Sequence, residues 1–147
     1  MNYITAAELT NEVPEVVQAL TTRDAPNDLT KVDAIITQKI QASEAEFDAY
    51  VALRYQIPVQ ASDGTVPNHI KQMIYTLTKY RLYSRRNSVP DNVVREYDNV
   101  IRFLRDVQAG RATIPLILEN GTVESKGTQK ITVGTGAASS FSQFNRL

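Results

Sequence analysis

The sequence predicts an all-α fold, a small bundle of about four helices with a long extended C-terminal arm. Apolar residues recur at spacings of three and four through three long stretches that end by Gly110. Those stretches are punctuated by Thr, Pro and Gly at positions where helices start and stop. After Gly110 the pattern ceases, and only Ile114, Leu116, Ile117 and Leu118 form an apolar cluster in the remaining chain. Residues 1–111 are therefore read as a helical bundle domain and residues 112–147 as an arm.

The first helix is expected to begin at Thr5. Thr5 and Glu8 form a capping box, and Leu9 and Val13 open an apolar face. Pro14 bends or restarts the helix, leaving Val16, Val17 and Leu20 to pack. Residues 21–28 read as a loop rich in turn formers. The second helix is expected from an N-cap at Thr30 to Pro58, with Val32, Ile35, Ile36, Ile40, Phe47, Tyr50, Val51 and Arg54 on one stripe. Lys39, Gln41, Glu44 and Asp48 are placed on its opposite, solvated face. Asp63-Gly64 marks a turn in the loop that follows.

Pro67 suits the first position of a third helix running through Ile70, Met73, Ile74, Leu77, Tyr80, Leu82 and Tyr83. Apolar around much of its circumference, it is expected to be the most buried, with Arg85 to Ser88 closing it. Pro90 opens a fourth helix whose stripe is Val93, Val94, Tyr97, Val100, Ile101, Leu104 and Val107, and Gly110 is placed to end it. Beyond, Ile114 to Leu118 reads as one short extended segment packing back on the bundle. Thr128 to Gly134 alternates weakly and reads as a β segment only if it pairs with another subunit.

A segment as poor in apolar side chains as Asn120 to Ser140 does not offset its own ordering entropy. Yet the chain closes on Phe141-Ser-Gln-Phe144-Asn-Arg146-Leu147, side chains that water does not favour. An arm that orders against another protein accounts for both. Ile114, Leu116, Leu118, Phe141, Phe144, Arg146 and Leu147 are the candidate docking residues.

The 147 residues are 42% hydrophobic and hold no cysteine, so disulfides and thiolate metal sites are excluded. No apolar run approaches the ~20 residues that cross a bilayer, and no membrane is expected as a partner. Residues 1–8 lack the basic start and apolar core of a signal peptide, so cytoplasmic synthesis is expected. Net charge is zero but uneven: residues 1–66 hold 4 Lys/Arg against 10 Asp/Glu, whereas residues 67–111 hold 9 against 4. That imbalance is either ordinary solvation of helix faces or a dipolar subunit suited to head-to-tail contacts.

Catalytic chemistry has little to stand on. His69 is the one histidine and stands at a helix start; Glu44 and Asp48 share a helix face but do not read as set in an apolar pocket. Gly134-Thr-Gly136 lacks the third glycine of a dinucleotide loop. A non-enzyme is expected, with no cofactor and no metal. The basic, aromatic segment Lys79-Tyr80-Arg81-Leu82-Tyr83-Ser84-Arg85-Arg86 leaves a second reading open, a small helical nucleic-acid-binding protein contacting phosphates without sequence preference. Lys79, Arg81, Arg85, Arg86 and Arg95 are its candidate contacts.

Several segments resemble one family in order along the chain: Tyr3-Ile-Thr-Ala-Ala-Glu-Leu9, Leu20-Thr-Thr-Arg-Asp24, Arg54-Tyr-Gln-Ile-Pro58, Tyr80-Arg-Leu-Tyr83, Tyr97 through Phe103-Leu-Arg-Asp106 to Ala109-Gly110, and Ser140-Phe-Ser-Gln-Phe144. Together they resemble the small head–tail connector (adaptor, or head-completion) proteins of Mu-like tailed phages and prophages. Gln143 departs from the family's pattern, which has a basic residue there. The resemblance implies a helical subunit, a structural virion protein of the neck, made in the bacterial cytoplasm. It implies a homo-oligomeric ring, about twelve-fold, beneath the portal protein and above a tail-side stopper or tail terminator protein. It further implies an arm that grips the portal or a neighbour, and a channel through which genomic DNA passes without sequence recognition. Arg85, Arg86, Asp91 and Arg95 are compatible with the wall of such a channel.

Overall fold

Among the described residues the four helices of seven residues or more begin on a local acceptor or a proline, so these starts follow from chemistry within one turn. A computed structural model describes residues 3–15, 17 and 28–116. Among these residues the helices are α1 (Ala6–Glu12), α2 (Leu29–Val51), α3 (Asn68–Ser84) and α4 (Asp91–Gln108). The α2, α3 and α4 helices pack pairwise, and α1 lies on α2, giving the expected small all-α bundle.

The α1 cap is the expected capping box. Thr5 Oγ accepts from the Glu8 N–H at 3.2 Å, and the Thr5 N–H donates to Glu8 Oε2 at 2.7 Å. Asp28, not Thr30, caps α2: its carboxylate accepts from the Lys31 N–H at 3.2 Å. The far end of α2 also differs from expectation, stopping at Val51 rather than running to Pro58. Pro58 forbids helix only within about one turn of itself, whereas Tyr55, nearer the observed end, is buried. Arg54 consequently leaves the stripe. Its Nε reaches the Gln108 carbonyl at 3.5 Å, a cation at the negative end of α4.

Pro67 and Pro90 both sit one position outside their helices, as N-caps. Six of the 17 residues of α3 are buried, against six of 23 in α2 and four of 18 in α4, so α3 is the most enclosed. It ends in a turn with Asn87 at φ 52°, a conformation asparagine tolerates. Gly110 ends α4 in a Schellman motif: the Arg111 N–H donates to the Asp106 carbonyl at 2.8 Å and the Gly110 N–H to that of Val107 at 3.0 Å. Gly110 has φ 77°, and a Cβ there would meet the Arg54 guanidinium at 2.5 Å. The Asp63-Gly64 turn is present too, with Asp63 Oδ1 accepting from the Thr65 N–H at 2.9 Å.

The core is built around Phe47, Ile36, Ile40, Ile70, Ile74, Leu77, Leu82 and Leu104, each removed from water. Burial of one such side chain contributes about 1.5–3 kcal/mol. Ile114 and Leu116 join the same core, so the chain after α4 crosses back over the bundle at least to residue 116.

Candidate functional site

The candidate basic site begins on α3, where helical spacing turns Lys79 toward α4 and Arg81 toward α2. Lys79 pairs with Glu96, and Arg81 Nη2 lies 2.8 Å from Glu46 Oε2. The other Glu46 oxygen accepts from the Tyr97 hydroxyl at 2.9 Å. Tyr80 and Tyr97 stack at 3.9 Å between ring centroids, 15° from parallel. Burial, then the hydrogen bond to Glu46, pushes the Tyr97 hydroxyl up to about 12. The arrangement ties three helices together, and two of the five candidate nucleic-acid contacts are engaged in it. Arg85 caps the end of α3, Arg86 follows it half-buried, and Arg95 is exposed on α4.

The candidate docking residues divide. Ile114 and Leu116 are 3% and 7% exposed, so their apolar area is already buried against the bundle of their own chain, as expected of a segment packing back on it. The Ile114 N–H donates to the Tyr55 hydroxyl at 2.6 Å, and that hydroxyl lies 3.4 Å from the Ile114 carbonyl. Leu118, Phe141, Phe144, Arg146 and Leu147 lie outside the described residues, as does the β segment expected at Thr128 to Gly134.

A cluster missed in the sequence lies on the other side of α2. Glu44, expected on a solvated face, is 5% exposed. One of its oxygens accepts from the Tyr3 N–H at 2.6 Å and the Ile4 N–H at 3.2 Å. The Tyr3 hydroxyl donates to Asp48 and accepts from the Val59 N–H at 2.9 Å, while its ring meets Phe47 edge-on at 5.4 Å. Burial raises both carboxyls above their usual values, and burial with the Asp48 hydrogen bond raises Tyr3 as well. The signal was present in the spacing: Glu44 stands four residues after Ile40 and three before Phe47, on the buried stripe itself. Chemically the cluster is a clamp, in which the acids are occupied by backbone and phenol donors. Among the described residues no group of three acidic or histidine side chains could hold a metal ion. His69 is half-buried, and burial lowers its pKa.

Two outward faces differ in charge. Along α2 and just past its end, every exposed residue from 34 to 53 is uncharged: Ala34, Gln38, Gln41, Ala45, Ala49 and Leu53. Leu53 is 59% exposed and Ile57, just beyond, 47%. The exposed residues of α4 instead include Asp91, Arg95, Asp98, Arg102 and Arg105. No helix among the described residues is long and apolar enough to cross a membrane.

The profile of the family described as Bacteriophage Mu, Gp36 matches residues 3–133 of this chain. The chain is also 27% identical over 94 residues to the Mu-like prophage FluMu protein gp36 of Haemophilus influenzae. That match covers 64% of this chain and 62% of the relative's length.

Proposed function

We propose that this chain, which belongs to the bacteriophage Mu gp36 family, is a structural neck protein of a tailed phage. In this reading copies of it form a ring below the portal, extend the DNA channel and join head to tail. The observation that carries the self-association is the run of uncharged exposed residues on α2 from Ala34 to Ala49, followed by exposed Leu53 just past its end. Charged side chains make up 22% of the sequence, so their absence from the exposed positions between Ala34 and Leu53 is a departure that packing would exploit. Covering such a face with a second copy buries apolar area without stripping water from a charge. The acidic first half and basic second half of the chain favour a head-to-tail arrangement, in which the same contact repeats and closes.

Within that reading Phe141, Phe144, Arg146 and Leu147 dock on the portal or on a neighbouring subunit, and the protein resides in the virion neck. The alternative of a monomeric nucleic-acid binder is weaker, because Lys79 and Arg81 already hold Glu96 and Glu46. Light scattering and negative-stain images of the full chain, alone and mixed with portal, test the proposal. Rings are expected from the native protein, whereas Ala49→Arg should leave helix content and melting within about 0.5 kcal/mol of native and abolish rings. Native protein that stays monomeric even with portal, or Ala49→Arg protein that still forms rings, would overturn it.

A further inference from the structure

The exposed charges of α4 fall on one line. Asp91, Arg95, Asp98 and Arg102 are all exposed and follow one another at spacings of four, three and four. That spacing keeps them on a single stripe of the helix. The stripe looks away from the core, since Val93, Ile101, Leu104 and Val107 take the buried side of α4. Among the described residues the ion pairs nearby join Lys79 to Glu96 and Arg111 to Asp106, and none takes in a stripe residue. Along about 17 Å of helix the charges alternate in sign. The surface that matches them is the same stripe read backwards.

We infer that α4 is a docking surface for α4 of a second copy, the two helices running antiparallel about a two-fold axis. In this register Asp91 faces Arg102 of the second copy and Arg95 faces its Asp98. The two-fold repeats both contacts, so four pairs of opposite sign meet. Parallel helices in register would set like charges against each other, so the alternation also selects the direction. The exposed side chains beside the stripe, Asn92 and Asn99, are uncharged. Glu96 and Asp106 are answered within the chain by Lys79 and Arg111, so the contact gathers no further acid. Arginine stems can lie along the facing helix while their guanidinium groups stay in water. Pairs of this kind are individually weak and screened by salt, which makes the contact reversible. It lies on α4 and leaves the uncharged face of α2 free, so it does not depend on the neck reading.

Full-length protein carrying Ala49→Arg isolates this contact from the α2 face. Its sedimentation equilibrium should show a monomer–dimer exchange that weakens about tenfold or more from about 20 mM to about 300 mM salt. In that parent, Arg95→Asp with Arg102→Asp makes the stripe wholly acidic, and Asp91→Arg with Asp98→Arg makes it wholly basic. Each double variant alone should dimerise about tenfold or more weakly than the parent at low salt. An equimolar mixture of the two should dimerise at least as tightly as the parent, and the chain with all four exchanged should regain parental affinity. All four positions are exposed, and thermal melts check that each variant is folded. A mixture no tighter than its components, double variants that dimerise as tightly as the parent, or a parent that is monomeric at low salt would overturn the assignment. Ring formation by the native chain with portal is read separately, so failure here and failure of the neck reading are distinguishable.

Discussion

Glu44 and Glu46 stand two residues apart on α2 and do opposite things. Two residues is about 200° of helix, so one faces the N-terminal segment and the other faces α3 and α4. Glu44 is buried and is met by two backbone N–H groups. Burial wins over those hydrogen bonds, and its carboxyl sits above the usual range. Glu46 is partly exposed and meets a guanidinium and a phenol. A carboxylate holding backbone in a dry site is hard to replace, because its donors are left without partners when it goes. A carboxylate in a partly exposed ion pair is more easily replaced, because water reaches the groups it leaves behind. Sequence charge alone does not distinguish the two. The same contrast bears on the basic segment on α3, where Lys79 and Arg81 are partly buried and pair across helices.

Removing the buried side should have the largest effect. Glu44→Ala is expected to destabilise by about 3 kcal/mol, since two buried N–H donors lose their acceptor; a urea midpoint near that of the native protein would break the comparison. Glu44→Gln keeps an acceptor oxygen and sharpens it through pH. Because the folded carboxyl is raised above its ordinary value of 4.5, the folded state holds a proton that the unfolded chain has lost in the window between the two. Glu44 therefore contributes more stability as pH falls from neutral into that window, and Glu44→Gln should remove this component. Glu8 runs the other way: the hydrogen bond from Lys71 lowers its carboxyl, so its contribution is present above the ordinary value and is lost as pH falls through the folded one.

Next in size is Tyr3→Phe, which takes one partner each from Asp48 and from the Val59 N–H. A loss of about 1–2 kcal/mol is expected, with the amide of Val59 exchanging faster; unchanged protection there would place the clamp elsewhere. The smallest effect belongs to the side that water still reaches. A double-mutant cycle of Arg81→Ala with Glu46→Ala should give a coupling of about 0.5–1 kcal/mol that shrinks with added salt. Coupling as large as the Glu44→Ala loss would erase the distinction between the two sites.

Much of this was legible one residue at a time. The Thr5/Glu8 box, the proline starts near Asn68 and Asp91, the Gly110 stop and the Asp63-Gly64 turn depend on neighbours within a few positions, and each stands where those neighbours put it. Family membership was legible as well, because ordered segments spread over most of the chain are hard to match by chance. The far end of α2 was not, since Tyr55, just past it, is buried and hydrogen-bonded to a segment almost sixty residues away. Glu44 was misplaced because polarity was allowed to overrule spacing, although Ile40 and Phe47 already located it. Ile114 and Leu116 were read as docking residues because nothing local shows what lies beneath them.

By itself, then, the sequence determined an all-α bundle, the starts of α1, α3 and α4 to within a residue and membership of a Mu-like phage family, because capping, periodicity and glycine conformation act over a turn or two of chain. Only the tertiary structure decided which acids are buried, which cations are already paired and where the segment after α4 rests. Those outcomes depend on which surfaces lose water together, and that is a property of elements brought side by side rather than of any stretch of residues read alone.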